Sequence, residues 1–164
     1  MLGKYLWTFI LGIMFLYGQL LLLPAFEIAG VIPNILIPWL IYLVWTRELK
    51  VVYITGFVIA LMYDSTQPLT FGLFALLAVI LTFSLDQFRK PFEAESIVAK
   101  MLTILLANLI FHLIQLVVLG VVTGFNSMLV TLNSIGFLYN LAVSFVIFWS
   151  MHYLSRLRIV VVND

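Results

Sequence analysis

Asn108, His112 and Gln115 stand at i, i+4 and i+7, a spacing that puts all of them on one face of a helix. A histidine titrates near neutral pH, so this stripe is a candidate proton relay or substrate groove. Ordinary interhelical hydrogen bonding, worth about 0.6–2 kcal/mol per contact in lipid, accounts for the same pattern. Gly56, Ala60 and Asp64 form a second face at i, i+4 and i+8. Small residues at that spacing let two helices approach closely. Asp64 then has two readings: a buried carboxylate that holds a turn or meets a partner, or a solvated interfacial acid. Glu93 and Glu95 lie among Arg89, Lys90 and Lys100, as in a segment on a membrane surface. The remaining chemistry is thin. There is no cysteine, no glycine-rich phosphate loop and no pairing of the two distant histidines, His112 and His152, into a metal site. These residues predict neither an enzyme nor a cofactor.

The composition sets the solvent in which such residues must work. The chain has 164 residues, 65% of them apolar and 9% charged, with a mean hydropathy of +1.22. A soluble domain is near half apolar and a quarter charged. Only a bilayer suits this excess. At roughly 20 residues per spanning helix, six helices use about 120 positions and leave short loops with no soluble domain. The net charge of +1 marks no nucleic-acid partner. No small-x-small cleavage site precedes Pro24, so the first apolar run reads as a retained helix.

Breaks in the apolar runs predict six spans at about 5–23, 31–46, 51–64, 69–85, 101–122 and 130–154, one all-α transmembrane domain. Pro33 suits a first helical position, and Pro38 predicts a kink in the second span. The third span is short. From Val51 to Tyr63 it reaches only about 20 Å, so it extends through Asp64 or thins the bilayer. The connection from Asp86 to Lys100 is the longest polar one and is expected to be part amphipathic helix. With both termini on the cytoplasmic side, the inner segments hold Lys4, Arg47, Lys50, Arg89, Lys90, Lys100, Arg156 and Arg158, every Lys and Arg in the chain. The outer turns hold Glu27 and Asp64. That partition follows the positive-inside rule and fixes the expected orientation.

Several faces are expected to turn inward: Thr8, Gly12 and Gln19 in the first span, Gly72, Ala75 and Thr82 in the fourth, Asn133, Gly136, Asn140 and Ser144 in the sixth. Trp7, Trp45 and Trp149 fit interfacial anchoring; Trp39 falls inside a span. Basic residues along the inner side favour anionic lipid or an acidic partner surface.

The stretch from Pro33 to Phe88 resembles the rod-shape-determining MreD family. The likeness lies in Pro33-Asn34 opening the second span, Gly56-Phe57-Val58 in the third, Asp64 closing it, and Gly72 with Ala75-Leu76 opening the fourth. It implies a non-catalytic scaffold of the bacterial inner membrane that binds MreC. In the wider complex it implies MreB filaments, a RodA-type glycosyltransferase and a class B penicillin-binding protein. It also implies a fold similar to the S components of energy-coupling factor transporters. Pro33, Asn34, Gly56, Phe57, Asp64 and Gly72 are then the positions expected to shape a partner surface or groove, with Ala60 added from its spacing. An S component that binds a vitamin is the alternative. Such proteins usually carry Ala-x-x-x-Ala in the first span, and Tyr5 to Leu23 contains no alanine.

Overall fold

The computed structural model describes residues 2–93 and 95–161, with side chains at 3–93 and 95–155. Arg156 and Arg158 therefore lie outside the described side chains. Among the described residues all regular structure is helical apart from one isolated bridge between Ile28 and Val31. The first rod contains α1 (Leu2–Tyr17), a π-helical turn at Gly18–Leu22 and a 3-10 turn at Leu23–Phe26. It is followed by α2 (Leu36–Thr46), α3 (Leu49–Asp64), α4 (Leu73–Arg89), α5 (Ile97–Thr123) and α6 (Ser127–Val161). Three stretches are long and apolar enough to cross a membrane: Gly3–Phe26, Ile97–Thr123 and Ser127–Ser155.

The other three helices have 11, 16 and 17 residues. At 1.5 Å per residue they reach about 17, 24 and 26 Å, less than a hydrocarbon core of about 30 Å. The shortest of them, α2, is central and packs against all five other helices. Its sequence, LIPWLIYLVWT, is apolar on every side, as an enclosed helix requires. The rod of α1 crosses it closely: a Cβ on Gly12 would lie 2.8 Å from both Trp39 and Ile59.

Three local expectations are corrected. The second helix begins at Leu36, so Pro33 precedes it instead of opening it. Pro38 consequently falls in the first turn, where its missing N–H breaks no intrahelical bond and demands no kink. Between Asp86 and Lys100 there is no separate amphipathic helix among the described residues: α4 runs on to Arg89 and α5 starts at Ile97. Ser96 caps α5 by accepting from the Ala99 N–H. The third helix takes the first of its two options and extends through Asp64.

Contacts gather the charges at one end of the bundle. Lys4 pairs with Glu48 at 2.7 Å, and this ammonium holds the Glu48 carboxyl below the usual carboxylate range. Asp86 is buried and pairs with Arg89 and Lys90. Arg89 also donates to the Val44 carbonyl, capping the C-terminal end of α2. Lys100 lies 5.8 Å from the Trp45 ring and 3.9 Å from Glu95.

Candidate functional site

At the other end of the bundle, the last residue of α3 organises the first turn of α4. Asp64 is only 2% exposed. One carboxylate oxygen accepts from the Phe74 N–H at 3.0 Å and the other from the Ala75 N–H at 2.8 Å. Those amides belong to the first turn of α4, which lacks intrahelical acceptors, and the negative charge faces the positive end of the helix dipole. Gly72 makes this possible. Its φ of 89° turns the chain into the helix through the left-handed region, which glycine enters without a Cβ penalty. Of its two readings, Asp64 takes the buried one, holding the α3–α4 turn.

The segment before α2 is held by side chains from two other elements. Gln19, carried on the π turn, donates to the Pro33 carbonyl at 3.1 Å and accepts from the Ile35 N–H at 2.8 Å. Asn34 accepts from the Leu36 N–H at 2.9 Å, which caps α2 locally. The Asn34 N–H in turn donates to Asn140 on α6 at 2.6 Å. Asn140 then donates to Asn108 on α5 at 2.6 Å, and Ser144 donates to the same oxygen at 3.4 Å. Asn108 is therefore a hydrogen-bonding hub linking α5 to α6, and part of the α5 polar stripe is structural.

Above this ladder lies a cavity of about 380 Å³ between α3, α4, α5 and α6. Its polar lining includes Asp64, Gln67, His112, Gln115, Asn133 and Asn140. His112 Nδ1 is 3.3 Å from Asn133 Oδ1. In the tautomer that donates from Nδ1 to this amide oxygen, Nε2 is the acceptor. Buried Nε2 has no hydrogen-bond partner among the described residues.

The structure thus brings Asn34, Asp64 and Gly72 to one end, with Asn34 and Asp64 in the cavity wall and Pro33 beside it. Compared with family models, with curated proteins and with solved structures, this chain matches none of them. Gly56 and Ala60 are placed elsewhere. Both are buried, and a Cβ on Gly56 would lie 2.9 Å from Leu40 of α2. Their close approach is made within the chain, which corrects their expected place on an open partner surface. Phe57 does face outward, at 41% exposure, beside Ile54 and Val58. The sequence marked His112 and Gln115, and it placed Glu27 and Gly30 in the turn after the first span, but not that this turn overhangs them. Ile28 and Val31 exchange two backbone hydrogen bonds there, with Ala29 and Gly30 both at positive φ. Gly30 was the available signal, since tight hairpin turns favour glycine at that position.

Proposed function

We propose that this chain is a non-catalytic scaffold of the MreD kind in the bacterial inner membrane. In this reading it crosses the bilayer six times with both termini in the cytoplasm. It binds MreC and helps to connect MreB filaments with a RodA-type glycosyltransferase and a class B penicillin-binding protein. Three long apolar helices support the membrane placement. The gathering of Lys4, Arg89, Lys90 and Lys100 at one end supports the orientation, because cations favour the cytoplasmic side. Short α2 is tolerable at membrane depth because protein encloses it.

One observation carries the partner reading: an apolar groove between α1 and α3 on the outside of the bundle. Tyr5, Leu6 and Phe9 form one bank, and Ile54, Thr55 and Val58 the other. Leu6 and Ile54 are more than half exposed. A single-span partner offers an apolar helix face that fits such a groove, and close packing drives association in lipid. Val58→Trp fills the groove from its rim without touching the core. Co-expressed with MreC, that variant is expected to retain at least about tenfold less of it on purification, a change of 1.4 kcal/mol. Its own thermal melt in detergent should stay in place. Gly56→Leu, aimed at Leu40, should instead lose both the melt and the partner. Wild-type recovery of MreC by a stable Val58→Trp protein removes the groove as the site.

A further inference from the structure

The cavity puts five carboxamides, those of Asn34, Gln67, Gln115, Asn133 and Asn140, and the His112 imidazole beside aromatic rings, with no Lys or Arg in its described lining. We infer that it binds an uncharged, flat, amide-bearing nitrogen heterocycle. The volume of about 380 Å³ falls within the range of small-molecule sites, roughly 300–1,000 Å³. Charge selects against anions. No cation faces the space, and the Asp64 carboxylate forms part of its wall. A lipid tail fits poorly as well, since it would leave the buried polar groups unpaired.

One of those buried groups, His112 Nε2, has no partner among the described residues, and half-buried Gln115 stands with it in the lining. Gln115 lines the cavity and makes no hydrogen bond among the described residues. His112 is 7% exposed, and no donor among the described residues reaches its buried Nε2. A buried acceptor of this kind calls for a ligand or water to complete it. A cyclic amide presents a donor and an acceptor on one edge, which matches an imidazole acceptor and a carboxamide together. Tyr63, Phe74 and Phe111 supply the aromatic side of the lining, with successive ring centroids 5.0 and 5.9 Å apart and each pair edge-to-face. A planar ring packs edge-to-face or offset against such groups. Access runs past Gly30, Ile32 and Gln67, which line the cavity and are also exposed. The overhanging turn carries Ala29 at φ 53°, a conformation that non-glycine residues adopt rarely and that recurs at ligand clamps.

Matched probes test the chemistry. Nicotinamide and uracil are neutral members of the class, and nicotinate and orotate are their carboxylate counterparts. Each is added at millimolar concentration to the purified full chain in detergent, with binding read by ligand-observed NMR and by the thermal melt. At least one neutral probe is expected to bind, with its carboxylate counterpart at least about tenfold weaker. Gln115→Leu should weaken the neutral probe by about tenfold while leaving the melt of the unliganded protein unchanged. His112→Gln, which keeps an amide acceptor in the wall, should retain more binding than His112→Leu. Binding by neither neutral probe overturns the inference, as does equal binding of the carboxylates or indifference to Gln115→Leu. The α1–α3 groove takes no part in this measurement, so its outcome is separate from that of the scaffold reading.

Discussion

Asp64→Ala is expected to lower the stability of the purified chain by about 3 kcal/mol, the sum of two hydrogen bonds to a charged acceptor at the lower end of their usual worth. The loss is large because both donors stay buried. Phe74 and Ala75 are 9% and 3% exposed, and their N–H groups, in the first turn of α4, donate to the Asp64 carboxylate. Alanine removes both oxygens and leaves a void in which two amides are desolvated without compensation. Asp64→Asn separates charge from shape. It keeps one carboxamide oxygen but turns an NH₂ toward the second backbone N–H, so it is expected to recover less than half of the loss. A chemical-denaturant or thermal titration in one detergent measures all three proteins. If Asp64→Ala melts within about 0.5 kcal/mol of the wild type, as an ordinary surface substitution does, the carboxylate is not holding the helix. The same variant bears on the cavity, because Asp64 and Phe74 both line it. Fraying the start of α4 moves the aromatic wall away from His112.

This cap shows which parts of the structure the sequence made legible. Asp64 stood out because an acid beside an apolar run is costly unless it is paired or wet, and its spacing with Gly56 and Ala60 marked one helix face. The pairing itself was not visible. Its partners are backbone amides, which every residue carries, so nothing in the side chains of Phe74 or Ala75 advertises them. Gln19 was legible as an inward residue for the same reason and hidden in the same way, since it binds the backbone of Pro33 and Ile35. The inward faces of α1 and α6 followed from small and polar residues at helical spacing: Thr8, Gly12, Gly136, Asn140 and Ser144 are all buried. What sequence could not separate was lipid from protein as the apolar neighbour. The composition of α2 fits a lipid-facing span as well as a helix enclosed on every side, and only tertiary packing distinguishes them. Gly56 was misplaced by that same ambiguity. A small residue marks a close approach without saying whether the approaching helix belongs to the same chain.

Gly12→Ala carries this point to a measurable extreme, with an expected loss of about 1–3 kcal/mol from a single added methyl. Close packing at small residues favours helix association in lipid, so a glycine with two buried side chains pressed against it should tolerate no growth. The added Cβ would stand 2.8 Å from Ile59 Cγ1 on α3 and 2.8 Å from Trp39 Cζ2 on α2, well inside ordinary contact. Neither neighbour can yield easily. Trp39 is 2% exposed, and its ring stacks on Phe15 with centroids 6.4 Å apart; Ile59 is 1% exposed. The strain therefore falls on the backbone of α1, which must lift from α2 and α3. Gly3, on the same helix, provides the control, because a Cβ there meets nothing within 4 Å. Gly3→Ala should leave the melt within about 0.5 kcal/mol of wild type, or raise it slightly through better helix propensity. Lifting α1 also displaces Gln19 from the segment before α2, so Gly12→Ala should lose whatever neutral probe the cavity binds, at a distance from its wall. Equal melts for the two alanine variants would mean that α1 rides on the bundle loosely, and the alignment of Gln19 with Pro33 and Ile35 would then lack its anchor.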